Sequence, residues 1–309
     1  MRISTTQLYT DATRNMLEGQ SKLADIQSKI SSGKNFTSLA EDPVGASRVV
    51  NLKRELSQLE TFKSNIDSTR RRLSQEETSI SDITNGVIRS QELLIQAGNG
   101  ALNNENRIQI SYELEEMVEY LAGLMNARDA KGEYLFSGSK GTTQTYQKQT
   151  DGTYSYQGDS TVRKIQVASS QYIESSDSGQ FLFQSVTPEA GSTAEGNVLN
   201  TLVAAIDTLR NSSGAELSEG VSTAINQLDQ VQSRLSESVA TIGGRLNILD
   251  SAEMSNDDFD LLTQSTLSAV EDLDYASAST ELAKRQLALE ASYASFAKIQ
   301  SVSLFNFIK

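Results

Sequence analysis

Residues 52–94 read LKRELSQLETFKSNIDSTRRRLSQEETSISDITNGVIRSQELL, and every seventh position is apolar: Leu52, Leu59, Ile66, Leu73, Ile80, Val87 and Leu94. A strict seven-residue apolar period keeps one seam of an α-helix turned toward a partner helix. Leu56 adds an intermediate apolar position, while Lys63, Arg70 and Glu77 occupy others. Charged intermediate positions fit a simple two-stranded coil poorly. They fit a wider bundle, or side chains whose stems lie along the seam with their charges in water. The start of this helix is marked twice. Ser38 and Glu41 have the spacing of a capping box, and Asp42-Pro43 is an N-cap acceptor followed by a first-turn proline. Gly98-Asn99-Gly100 marks its end.

The same period recurs outward from this stretch. Ile110, Leu114, Met117, Leu121 and Leu124 alternate spacings of four and three, with Gly132 as the expected stop. Leu199, Leu202, Ile206 and Leu209 form a shorter stripe, ended by Asn211-Ser-Ser-Gly214. Val221, Leu228, Leu235, Ile242 and Leu249 repeat the strict heptad. Each such helix alone exposes its seam, so the stripes require one another, and an antiparallel bundle satisfies them all.

The middle of the chain reads differently. Residues 134–183 hold Tyr134, Phe136, Tyr146, Tyr154, Tyr156, Tyr172, Phe181 and Phe183 among Thr, Ser, Gly and Gln. Tyr154-Ser155-Tyr156 and Val162–Val167 read as short strands between turns. The two ends form a third unit. Tyr9, Ala12, Met16, Gly19, Leu23, Ile26 and Ile30 keep a four-three rhythm, and Tyr275, Leu282, Leu289 and Phe296 lie seven apart. Val302, Leu304, Phe305, Phe307 and Ile308 are unusually apolar for a chain end, and ends are normally polar unless something docks on them. The expectation is a mainly α protein: a long antiparallel helical bundle with paired N- and C-terminal helices and a small inserted β-rich domain. The divisions are 1–35 with 275–309, 36–136 with 189–274, and 137–188.

Composition removes most chemistry. The 309 residues include no Cys, no His and no Trp. Disulfides, thiolate nucleophiles, zinc–sulfur sites, Ser-His-Asp triads and imidazole ligands are thereby excluded, and no catalytic residue, metal or cofactor is expected. Forty acidic against 27 basic residues give a formal net charge of −13, which opposes nucleic-acid binding. The charge is uneven. Residues 1–75 carry 12 basic and 8 acidic side chains, and residues 250–290 carry 2 basic and 10 acidic, which suits segments that lie together. No apolar run approaches the roughly 20 residues of a membrane span, so no stable membrane insertion is expected. The opening shows no apolar segment of a cleaved signal peptide.

Short motifs are coincidences of spacing. Ser31–Lys34 and Ser137–Lys140 match S-x-x-K without its companion elements. Asp257-Asp258-Phe259-Asp260 lacks the glycine and distal glutamate of a calcium loop and reads as a solvated helix start. Arg70-Arg71-Arg72 reads as a solvated or bundle-rim cluster.

The order of several segments resembles the flagellin superfamily. Met1-Arg-Ile-Ser-Thr-Thr-Gln-Leu8 is similar to the opening of its junction-type members rather than of a filament subunit. Ser32-Gly33 followed by Glu41-Asp42-Pro43-Val44-Gly45-Ala46 is similar to the superfamily's helix-start segment, with Glu41 and Val44 standing where Asp and Ala are usual. Gln96–Gly100, Tyr134-Leu-Phe-Ser-Gly138, Tyr154-Ser-Tyr-Gln-Gly-Asp159 and Ser303–Phe307 extend the likeness over essentially the whole chain.

The resemblance implies a structural protein of the bacterial flagellum, secreted through the flagellum's own type III channel. It would assemble as a ring of copies of itself at the hook–filament junction, between hook-associated protein 1 and the filament flagellin. An export chaperone would hold the C-terminal helix. The implied assembly residues are Tyr9, Met16, Leu23, Ile26, Ile30, Tyr275, Leu282, Leu289, Phe296, Leu304, Phe305 and Phe307, with Glu41, Asp42 and Pro43 as the helix-start fingerprint. The other readings are a filament flagellin subunit or, in a different class, a membrane-active amphipathic helical protein. Against the latter, the acidic 250–290 stretch lacks the basic polar face that binds anionic lipid.

Overall fold

The computed structural model describes residues 5–100, 102–184 and 196–305. Seven helices and four strands follow in the order α1 (Thr5–Ser32), α2 (Pro43–Ala97), α3 (Asn104–Met125), β1 (Tyr146–Lys148), β2 (Tyr154–Tyr156), β3 (Lys164–Ala168), β4 (Gln171–Glu174), α4 (Gly179–Phe183), α5 (Val198–Asn211), α6 (Gly214–Glu271) and α7 (Tyr275–Phe305). Two compact units result. One is Glu60–Asp257, and the other joins the chain up to Leu59 to the chain from Asp258 onward. The helices α2 and α6 each contribute residues to both.

In Glu60–Asp257 the heptads become a closed core. Ile66, Leu73, Ile80, Val87 and Leu94 of α2 are fully buried, as are Leu228, Leu235, Ile242 and Leu249 of α6. Leu114, Leu121 and Met125 of α3 and Leu199, Leu202 and Leu209 of α5 join the same cluster. The wider bundle anticipated from the charged seam positions is what forms, and those charges find partners across it. Lys63 pairs with Asp257 at 3.2 Å, and Arg70 with Asp250 at 2.9 Å and Glu253 at 2.6 Å.

The strands form two antiparallel hairpins, β1 with β2 and β3 with β4, the first in register Tyr146 to Tyr156 and the second bulged between Gln166 and Ala168. An isolated hairpin is marginal in water. Here Tyr146, Tyr154, Val167 and Ile173, with Leu182 and Phe183 of α4, are buried in the same cluster as the four helices. Phe136 and Phe183 meet edge to face at 5.1 Å.

Two motifs of the sequence meet here. The Tyr156 hydroxyl donates to the Phe136 carbonyl at 3.0 Å or to that of Asp159 at 2.9 Å. The Asp159 carboxylate accepts the amides of Ser139 (2.8 Å) and Thr161 (3.0 Å). Gly138, just before Ser139, sits at φ +70°, and a Cβ there would clash with Asp159. Tyr134–Gly138 and Tyr154–Asp159 thus knot the loop after α3 to the first hairpin.

Three local expectations are corrected. First, α3 stops at Met125, capped by Asn126, and not at Gly132, which instead turns a loop closed by its amide on the Asp129 carbonyl at 2.9 Å. Second, the solvated or bundle-rim reading of Arg70-Arg71-Arg72 fits Arg70 and Arg71, which are half-buried and exposed, but not Arg72. Arg72 is nearly buried, pairs with Asp129 at 2.6 Å, and donates to the Tyr134 and Leu135 carbonyls at 3.3 and 3.4 Å. Third, Asp257–Asp260 lies inside α6 rather than at a helix start.

Candidate assembly surface

The unit built from the two ends of the chain has a thin core. Its buried apolar side chains among the described residues are Ala46, Val49, Leu59 and Ala278, of which three are no larger than valine. Helix α1 lies along α7. Their seam is made by the residues the sequence singled out. The Tyr9 ring meets that of Phe296 edge to face, with centroids 5.7 Å apart. Gly19 lets Leu289 approach so closely that an added Cβ would sit 3.3 Å from its Cδ1. The Gln20 amide donates to the Tyr293 hydroxyl.

This seam is half covered. Tyr9, Met16, Leu23, Ile26 and Ile30 of α1, and Leu282, Leu289 and Phe296 of α7, all keep part of their surface in water. Further apolar side chains on the same two helices face outward: Leu17 at 61% exposure, Leu287 at 69% and Tyr275 at 55%. Tyr275 therefore belongs to the outer surface rather than to the seam, although its hydroxyl would lie 3.0 Å from a Cβ added at Gly33. A groove beside the seam is lined by Asn15, Glu18, Lys22, Arg285, Leu289 and Ser292, a mixture of charge, amide and leucine. Leu304 and Phe305 close α7, but their side chains, and Phe307 altogether, lie outside the described residues.

The base of the pair is held by polar contacts that no local pattern announces. Gly33, at φ +70°, ends α1 by donating its amide to the Lys29 carbonyl at 2.9 Å. The connection after it then runs beside the connection between α6 and α7. Asn35 donates to the Glu271 carbonyl (2.8 Å), and Leu273 donates to the Gly33 carbonyl (2.9 Å). The Glu271 carboxylate, mostly covered, receives Lys34 at 2.7 Å and Lys53 at 2.9 Å. Those two ammonium groups, Lys34 first, hold its carboxyl below the usual carboxylate range. The only forewarning was the surplus of positive charge in residues 1–75 and of negative charge in 250–290.

The helix-start fingerprint divides its labour. Asp42 caps α2, its carboxylate accepting the Gly45 amide at 2.8 Å and its carbonyl the Ala46 amide at 2.9 Å. Pro43 is the first helical residue, where its missing N–H costs nothing. Glu41 forms no capping box with Ser38. Its carboxylate turns to Lys29 (3.0 Å) and the Thr37 hydroxyl (2.9 Å), which pull its pKa down. The cap is Asp42 and not Ser38, so Glu41 ties the end of α1 to the start of α2 instead.

What this arrangement offers a partner is uncovered apolar surface. Among the described residues no group of carboxylates is placed to hold a metal ion, and no helix is long and apolar enough to cross a membrane. The chain matches the bacterial flagellin N-terminal helical region over residues 3–141. It is similar to flagellar hook-associated protein 3 of Salmonella typhimurium, 28% identical with 99% of each chain covered. The same-named protein of Escherichia coli is 27% identical with all of both chains covered. The solved structure of the flagellar junction protein of Legionella pneumophila shares the fold: TM-score 0.57, 20% identity, covering 73% of this chain and 100% of that one.

Proposed function

We infer that this chain, homologous over its full length to flagellar hook-associated protein 3, is a structural subunit of the bacterial flagellum that acts outside the cell at the hook–filament junction. The observation that carries the mechanism is the half-covered seam of α1 and α7. Two helices alone cannot enclose stripes that include Met16, Leu23, Leu282, Leu289 and Phe296. Further helices packed against both flanks would cover them, and fully burying one such side chain is worth ~1.5–3 kcal/mol. Copies of the chain are the nearest source of matching helices, so assembly and the final burial of the termini become one event.

In this reading the terminal helices, residues 1–35 and 275–309, form the assembling part. Residues 36–136 with 189–274 form a supporting bundle, and 137–188 a surface region. The subunits close into a ring that meets hook-associated protein 1 on one side and flagellin on the other. Before assembly, an export chaperone covers the stripe through Leu282, Leu289 and Phe296 by taking the helix into a groove.

Deleting the gene tests the reading. Bare hooks with flagellin shed into the medium are expected. Loss of flagellin from both filament and medium would instead make the chain a filament subunit, and intact filaments would refute the junction role. At residue level, Leu289→Asp and Phe296→Asp put a charge where desolvation is required. Both should leave the Glu60–Asp257 unit folded by circular dichroism and fail to restore filaments to the deletion strain. Restoration by either variant would refute assembly through this seam.

A further inference from the structure

The sequence contains two Asn-Gly pairs, Asn85-Gly86 and Asn99-Gly100, and the fold places them in opposite situations. Asn85-Gly86 lies inside α2. The Gly86 amide belongs to the helical ladder, its backbone is helical, and a Cβ there would lie 2.7 Å from Leu121 Cδ2. Asn99-Gly100 lies just past the end of α2, and both residues are exposed. The Asn99 amide donates to the Gln96 carbonyl at 3.2 Å, and Leu102 closes a turn onto the Asn99 carbonyl at 3.0 Å. Gly100 takes the second position of that turn, whose N–H the closing bond does not use. Nothing lies within 4 Å of where its Cβ would be.

We propose that Asn99 is a site of spontaneous deamidation, a slow covalent change at the turn between α2 and α3 from which the fold protects Asn85. The chemistry needs only water. The Gly100 backbone nitrogen gives its proton to solvent and attacks Cγ of the Asn99 carboxamide. A new C–N bond forms, the carboxamide C–N bond breaks, and ammonia leaves, giving a five-membered imide. Water then opens the imide. Attack at the side-chain carbonyl yields aspartate, and attack at the backbone carbonyl yields isoaspartate. The sum is asparagine plus water giving acid plus ammonia, with no oxidation or reduction. Ring closure requires the asparagine backbone to rotate away from the helical conformation and the following nitrogen to be open to approach. Residues 99–100 lie past the helix and are exposed, whereas residues 85–86 are fixed in the helical ladder of α2.

The product matters at this position. Either acid adds a negative charge to a chain already at −13. Isoaspartate also reroutes the main chain through the former side chain, lengthening the turn that Leu102 closes. The change accumulates with the age of each subunit.

The test is peptide mapping of the full-length protein after incubation in mildly alkaline buffer, with isoaspartate detected by enzymatic methylation. Asn99 should convert ahead of Asn85 in the native protein, whereas in denaturant the two should convert at comparable rates. Gly100→Ala is accommodated by the open space and should slow conversion at Asn99 by an order of magnitude, because a side chain crowds the attacking nitrogen. An Asn99 that survives while Asn85 converts, or an Asn85 equally slow in native and unfolded chains, would overturn the proposal.

Discussion

Leu73 and Leu289 both sit on seven-residue apolar stripes of long helices, yet Leu73 is sealed from solvent and Leu289 is only half covered. The stripes do not differ in kind. What differs is the number of faces brought against them. Leu73 belongs to a cluster in which α2, α3, α5 and α6 converge and two hairpins cap the gaps. Leu289 belongs to a pair of helices. A heptad therefore specifies a seam and leaves open whether its cover comes from the same chain. Within Glu60–Asp257 the chain supplies that cover; in the terminal unit it supplies half.

The comparison breaks most sharply at Arg72. Its guanidinium is the nearly buried link between α2 and the loop after α3, and Arg72→Ala strands Asp129 away from its partner. Loss of ~3–5 kcal/mol is expected in chemical denaturation. Leu73→Ala should follow with a loss of about 2–5 kcal/mol, whereas Leu282→Ala should cost the isolated protein less than ~1 kcal/mol while still weakening assembly. Equal losses at the two leucines would erase the distinction between the units. Amide exchange gives the same contrast without mutation: residues 7–30 and 275–298 should exchange well ahead of the α2 and α6 seams between Glu60 and Asp257.

Glu76 sharpens the comparison by pH. It is wholly buried on α2, and one carboxylate oxygen accepts the Asp177 amide at 2.8 Å while the other lacks a partner. Burial first, and then the neighbouring Asp177 carboxylate, push its pKa up to about 8. The folded form therefore holds a proton that the unfolded chain releases near pH 4.5. Stability from this group is full below that value and falls as pH rises toward about 8. Glu76→Gln keeps an acceptor for Asp177 and should flatten the fall in a pH series of melting temperatures. Glu271 runs the other way, because its lysine partners depress its pKa. Its contribution is present above the ordinary carboxylate range and lost on acidification. Glu271→Gln should loosen only the terminal unit, by the small margin typical of partly exposed pairs.

The seams were legible because periodicity is local. So were the cap at Asp42-Pro43 and the strand at Tyr154–Tyr156. Arg72 was misread because its partner, Asp129, sits beyond the end of α3, and helical register alone cannot say that a loop folds back. Gly132 was misread because the Asn126 cap ended α3 first. The ion cluster at Glu271 and the knot between Gly138 and Asp159 lay outside any window of neighbouring residues. Charge asymmetry hinted at the first, and nothing short of the fold joined the second. The half-coverage of Leu289 could not be read at all, since a stripe records only that it needs a partner.

The clasp at Glu271 also sets a timetable. It joins Lys53 to a residue 218 positions away, and Asn35 to the same place. The terminal unit therefore cannot close until nearly the last helix has been delivered, whether from a ribosome or from a pore. Glu60–Asp257 is continuous in sequence and has no such wait. Loop-closure entropy grows with the logarithm of the span, and a middle already folded shortens the span that remains. Delivery from the N-terminus would thus order the events, the continuous bundle closing first and the terminal unit last.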